Sequence, residues 1–315
     1  MPHESLRLVT VILLGPQRRP TVDAAARSLG GGGPVATITA GWQEREPDDK
    51  ELTRLLGARD VNLQLYRRWL DVLDADPGYA AGEAALHSAL SELSELYLVR
   101  LDHALQAAYT VQTKAGGGDR LASAALADAV AAVRELDAAH LVRVNEIRGE
   151  FFEQLRPHDR PAIAEHRAAV EALLSGAAAV VLAGGRVDVL AHVLHLFNVA
   201  AVIRSPVIAW SAGAMALAER IVLFGDRAPQ GPGFPEVHGS GLSLVRGAVV
   251  LPHARARLRL DDAPRMAVMA RRFAPDRCVL LDPGARVDTD GSGSWPPGTR
   301  MLGDDGQVTI TAAVA

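Results

Sequence analysis

Cysteine is all but missing from this chain: Cys278 is the single thiol in 315 residues. One thiol excludes an internal disulfide and any metal site built from several thiolates. Cys278 stands in an apolar, strand-like run, which reads as a small buried hydrophobe rather than a nucleophile. Charge of either sign is not in excess: 33 Lys and Arg against 37 Asp and Glu give a net charge of −4. No basic field large enough for nucleic acid follows, and no polybasic tail is visible. No apolar run approaches the roughly 18 residues of a membrane span. The opening residues MPHES lack the charged-then-apolar layout of a signal peptide. Neither Gly15-Pro16 nor Gly184-Gly185 extends into GxGxxG, and no GK[ST] phosphate loop occurs, so no nucleotide cofactor is expected. The expected class is a cytoplasmic enzyme or binding protein without a membrane or nucleic-acid partner.

What is present suits a globular core. Apolar residues make up 49% of the chain and charged residues 22%. The length allows one large α/β domain or two smaller ones. Residues 6–15 (LRLVTVILLG), 34–40 (PVATITA), 177–183 (AAAVVLA) and 205–210 read as strands, apolar on both faces. Helical runs at 21–29, 49–56, 162–174 and 187–196 fall between them. Residues 61–65 fit either a third short strand or the opening of a helix. Near-continuous apolar strands alternating with helices predict an α/β fold, a largely parallel sheet with helices on both faces. Short strands are expected at 221–224, 248–251, 277–281 and 308–311.

The pattern changes between these halves. Apolar residues recur at Leu86, Leu90, Leu93, Tyr97, Leu101 and Leu105, then from Leu121 through Leu126, Val130, Val133, Leu136, Val144, Ile147 and Phe151 to Leu155. Steps of three and four place one apolar stripe on each of two long helices. Gly116-Gly117-Gly118-Asp119 separates them, which predicts an antiparallel helical hairpin. Each arm would span roughly 45–55 Å at 1.5 Å per residue. The hairpin therefore projects, packs on another helix such as 66–73, or forms a subunit contact in a homo-oligomer. The expected division is an α/β domain of 1–59 and 160–315, with 60–159 as a helical insertion.

The chemistry centres on 207–216 (VIAWSAGAMA). A β-branched strand runs into strong helix formers, with one hydroxyl, Ser211, at the junction and the small residues Ala209 and Gly213 flanking it. This is the pattern of a strand–nucleophile–helix elbow, with Ala in place of the usual first Gly. A serine that merely caps a helix is the other reading. A serine nucleophile needs a base and oxyanion donors. Of ten histidines, His238 and His253 follow the elbow. His253 comes directly after the apolar run 248–252, at a strand's end where a base can reach a strand-end nucleophile. It is preferred over His238. The amide of Ala212 and one from Gly184-Gly185 would hold the oxyanion. No metal is expected: His192 and His195 lie three apart on a helix, but no acidic partner at helical spacing completes a site. Arg255, Arg257 and Arg259 alternate after His253; on an extended segment they share one face, either a cationic wall or a solvated basic edge.

The ordered set AGG (183–185), AWSAGAMA (209–216) and LPHARAR (251–257) resembles the peptidase E and cyanophycinase family of serine hydrolases, which have the class I glutamine amidotransferase-like fold. The resemblance is specific over roughly 177–262 and looser over 6–42, where TAGW (39–42) is similar to the end of the family's second strand. It is missing over about 60–170, where the helical hairpin stands. It implies Ser211 as nucleophile, His253 as base and Gly184 or Gly185 as an oxyanion amide. For the third member it points first to Asp226 and second to Asp282, where the family's late Gly-x-Asp-Glu pattern has lost its Glu. The family includes enzymes that prefer aspartyl substrates, which would suit Arg255 and Arg257 as substrate-binding groups. Arg186 departs from the small polar residue usual after the glycine pair. The expected function is a serine peptidase or amidase acting on small peptide-like substrates, without cofactor or metal. Rival readings are a catalytically degenerate binding or assembly protein and an esterase.

Overall fold

A computed structural model describes residues 9–114, 120–225 and 234–312. In chain order the first elements are β1 (Val11–Leu14), α1 (Val22–Ser28), β2 (Val35–Ile38), α2 (Lys50–Leu55), β3 (Asp60–Asn62) and α3 (Leu65–Ala75). The two arms of the hairpin, α4 (Pro77–Lys114) and α5 (Arg120–Leu155), follow. The chain returns through α6 (Pro161–Ser175), β4 (Ala179–Leu182), α7 (Val187–Leu196), α8 (Val199–Val202), β5 (Val207–Trp210) and α9 (Ala212–Leu217). It continues with β6 (Arg220–Leu223), β7 (Glu236–Ser240), β8 (Ala248–Pro252), α10 (Ala254–Arg257) and α11 (Ala263–Phe273). The strands β9 (Arg277–Leu281), β10 (Arg286–Thr289), β11 (Arg300–Leu302) and β12 (Val308–Ile310) close it.

The central sheet has six strands in the order β10-β1-β5-β4-β2-β3. All neighbours pair in parallel except β10, which runs antiparallel to β1. Every residue of β1, β2, β4 and β5 is buried, which explains their unbroken apolar sequence. On one face Ile12, Leu14, Val181, Ile208 and Trp210 pack with Val22 of α1 and Leu52 of α2. On the other, Val11, Leu13, Val180 and Ala209 join the core built with α7, α9 and the hairpin. Residues 61–65 carry both of their expected structures: β3 ends at Asn62 and α3 begins at Leu65. Although β3 falls within the stretch assigned to the helical insertion, it pairs with β2 at the edge of the central sheet.

The strand carrying His253 lies in a different sheet from the elbow. A second sheet has the order β12-β11-β9-β8, and β8 is parallel to β9. After β9 the chain crosses to the central sheet and re-enters it as β10. At that crossing Gly15 donates its N–H to Ala285 O at 2.8 Å, and a Cβ on Gly15 would meet Asp282 O at 1.9 Å. Only glycine allows β1 to end so close to the second sheet, and this contact joins the two halves of the cleft described below.

The hairpin packs on the body. Its stripes are buried at Leu86, Tyr97, Leu101 and Leu105 on α4 and at Leu126, Val130, Val133 and Leu136 on α5. Tyr79 meets Phe151 edge-on at 5.8 Å between ring centroids, and Tyr97 O–H donates to Asp137 Oδ1 at 2.8 Å, so the arms run antiparallel. The helix over 66–73 is α3, and Trp69 Nε1 ties it to α4 by donating to Glu83 Oε1 at 2.6 Å. The remaining support is α11, a helix in the stretch 221–315 where the sequence pattern predicts only short strands. Asp262 caps it by accepting from the N–H of Arg265, and Pro264 occupies its first turn.

Candidate active site

Four parallel strands end at one edge, and the loop after each lines a single cleft of about 850 Å³. The loop after β1 contributes Pro16, Gln17 and Arg18, and that after β2 contributes Trp42 and Arg45. Gly184 and Gly185 follow β4, and Ser211 follows β5. This is the carboxyl edge where open α/β sheets bind ligands. The second sheet supplies Pro252, His253 and Arg257 from across the cleft.

Ser211 sits at φ 51° and ψ −122°. That region is sparsely populated by any residue with a Cβ, and it costs of order 1–3 kcal/mol unless the surroundings impose it. The surroundings here do so. A Cβ on Gly213 would meet Leu182 O at 2.5 Å, and one on Gly184 would meet Ser211 Cβ at 2.9 Å. Gly185, at φ 128°, presses against the backbone of Gly41, whose carbonyl accepts the N–H of Arg186 at 2.8 Å. The loops after β2, β4 and β5 thus lock together without room for side chains. Ala209 is fully buried in β5, and the serine carbonyl accepts the N–H of Met215 at 3.0 Å as α9 begins. The Ser211 side chain, half-buried, lines the cleft beside Ala212.

His253 also lines the cleft and is half-buried. It takes a positive φ of 58°, and its N–H donates to Leu281 O at 3.0 Å. Burial holds its pKa below the ordinary range, and the cations Arg257 and Arg18 add to that; Asp282 opposes. The imidazole is therefore biased toward its neutral, proton-accepting form. No Ser211–His253 hydrogen bond is formed. The other histidine after the elbow, His238, lies away from the cleft on β7.

The candidate third members differ in what can be described. Asp226 lies outside the described residues. Asp282 is buried, and its carboxylate is held by other groups than the imidazole. Oδ1 accepts the Arg255 N–H at 2.8 Å, and Oδ2 accepts from Arg300 Nη1 at 2.6 Å and lies 3.5 Å from Arg255 Nε. Asp282 thus acts on His253 through its charge. The expected shared face of Arg255 and Arg257 is corrected: 254–257 is helical rather than extended, so neighbours two apart diverge. Arg255 turns to Asp282, while Arg257 lines the cleft with its guanidinium 5.8 Å from the centre of the Phe224 ring. Arg186 is occupied outside the cleft by the Asp188 carboxylate.

Arg18, Arg45 and Glu51 belong to the cleft with no signal of their own in the sequence pattern, and Trp42 joins them as the end of TAGW. They come from loops and a helix more than 150 residues before the elbow, joined to it only through strand order. TAGW (39–42) was the one sequence signal near them. Cys278 is buried in β9, and burial pushes its thiol up to about 12, so it stays protonated.

No protein-family model matches the chain, and no curated protein matches it in sequence. Among solved structures the chain is similar to a peptidase from an acI-B1 Actinobacterium, at 11% identity and a TM-score of 0.47. That alignment covers 98% of this chain and 95% of the other. A likeness at that level carries no argument about function. No described helix is long and apolar enough to cross a membrane.

Proposed function

We propose that the cleft is the active site of a serine hydrolase, a peptidase or amidase acting on small peptide-like substrates. The reading rests above all on Ser211: a backbone strained into a region that favours glycine holds a lone hydroxyl at the end of a central strand, in the same cleft as a half-buried imidazole. Strain of this kind persists where the surrounding structure enforces it, and it clusters at reactive residues.

In this mechanism Ser211 Oγ attacks the substrate carbonyl as His253 takes its proton. The amides of Ala212 and of Gly184 or Gly185 receive the developing oxyanion. The imidazolium then protonates the leaving amine, and a water activated by His253 releases the acyl group. Asp226 or Asp282 stabilises the imidazolium. The mechanism requires Ser211 Oγ and the His253 imidazole to come within hydrogen-bond reach as substrate binds. Among charged residues lining the cleft, Arg18, Arg45 and Arg257 face one carboxylate, Glu51, which favours substrates carrying negative charge.

A second reading, a binding protein that has lost turnover, is favoured by the commitment of Asp282 to Arg300 and Arg255. A serine-directed phosphonate probe separates the two. Hydrolase function requires added mass on Ser211 that is lost in His253→Ala. No labelling anywhere between about pH 6 and 9 leaves the binding protein.

A further inference from the structure

We propose that a second chamber, enclosed between the helical hairpin and the body, binds a small molecule in which a carboxylate is joined to an apolar body, with Arg148 as the cation that receives it. The chamber has a volume of about 690 Å³. Small-molecule pockets typically fall between roughly 300 and 1,000 Å³. Its walls are largely apolar: Trp69 and Leu73 from α3, Leu90 from α4, Val144 from α5 and Val189 from α7. Exposed residues of α4, Ala84 and His87 among them, line part of it, so it communicates with solvent.

Arg148 is the reason for an anion. Its guanidinium lines this apolar space half-buried, and burial alone depresses its pKa. A guanidinium still cannot shed its proton near neutral pH, so the charge stays and is left uncompensated. The three carboxylates of the chamber do not pair with it. Asp188 is held by Arg186. Glu83 Oε1 accepts from Trp69 and lies 3.2 Å from His192 Nε2. Burial raises the pKa of Glu236 and favours its neutral form. The imidazoles of His195 and His238 feel the Arg148 charge but are themselves held below the ordinary range, chiefly by burial. Neutral at pH 7, they neither compensate nor compete with it.

Polar anchors beyond Arg148 are available. Glu83 Oε2 and His140 Nδ1 are buried without a hydrogen-bond partner, while His192 Nε2 lies against Glu83 Oε1. All three residues line the chamber. Buried polar atoms are rarely left unpaired, and a ligand with polar groups near its head would satisfy them. The proposal does not depend on the hydrolase reading: the chamber lies on the far side of Leu223, which borders both spaces.

Isothermal titration of the full chain tests this with two pairs of probes, octanoate with octanamide and acetyl-dileucine with its C-terminal amide. The first pair represents a free acid and the second a peptide end. At least one acid should bind more than about tenfold tighter than its amide, as a charge-assisted pair demands. Arg148→Met should erase that preference. Ala84→Trp, at an exposed position on α4, should fill the chamber and weaken the same acid by a similar factor, and it keeps the test informative if Arg148→Met does not fold. Equal binding of acid and amide in both pairs, a preference that survives Arg148→Met, or an acid still bound by folded Ala84→Trp would each overturn the proposal.

Discussion

Asp137, on the second arm of the hairpin, accepts two hydrogen bonds from Arg272 of α11, at 2.6 Å from Nε and 2.7 Å from Nη2. Both side chains are almost wholly buried, at 4% and 1% exposure. Tyr97 O–H shares Asp137 Oδ1, and Pro235 O accepts from Arg272 Nη1, so the fork and the carboxylate are well satisfied. Burial acts to lower the guanidinium pKa, but the hydrogen bonds and charge of Asp137 outweigh it and raise it. This pair fastens the hairpin to the body.

Removing one partner should be costly because the other charge remains buried. Asp137→Leu is expected to destabilise the chain by about 3–5 kcal/mol, read as a lower urea midpoint. The double variant Asp137→Leu, Arg272→Met should recover most of that loss. A double variant no more stable than the single one would show that the pair contributes more than mutual neutralisation.

Ser211→Ala should reduce turnover of any hydrolysed peptide or amide by about 10³-fold or more, with the thermal midpoint unchanged or raised. Ala keeps the Cβ and with it the backbone strain, so a raised midpoint would reflect loss of the half-buried hydroxyl rather than relief of strain. Activity within a few-fold of the native chain would remove Ser211 from the reaction.

The pH dependence of kcat/KM should carry an acid limb below the ordinary histidine value of 6.5, because His253 must be neutral to accept a proton and its pKa is lowered. Two substitutions should move the limb in opposite directions. Arg257→Gln removes a cation that disfavours imidazolium, so the limb rises. Asp282→Asn removes an anion that favours it, so the limb falls. Movement of both in the same direction would contradict a histidine base at this position.

The glycines around the elbow should separate stability from activity. Gly213→Ala pushes a methyl into Leu182 O, at 2.5 Å from the ideal Cβ, and should cost about 1–3 kcal/mol of stability. Gly184→Ala meets the Ser211 Cβ at 2.9 Å instead, beside the open cleft. Its main effect should be lost turnover through displacement of Ser211, with a smaller shift in thermal midpoint. Comparison of thermal unfolding with single-turnover rates reads both.

Local chemistry determined much of this protein from sequence alone. Unbroken apolar runs marked β1, β2, β4 and β5, because strands buried on both faces have no polar side to alternate. Steps of three and four residues marked α4 and α5, and the small residues around Ser211 marked the elbow, because a tight turn excludes bulk within a few positions of itself. Tertiary structure alone decided the rest. The amphipathic run of α11 lay unnoticed in a Gly- and Pro-rich tail, and its burial depends on a hairpin more than 100 residues away. The pairing of Arg272 with Asp137, the diversion of Asp282 to Arg300 and the isolation of Arg148 depend on which elements pack together. Sequence spacing carries no record of such long-range contacts, because folding brings distant charges together by burying the apolar faces beside them.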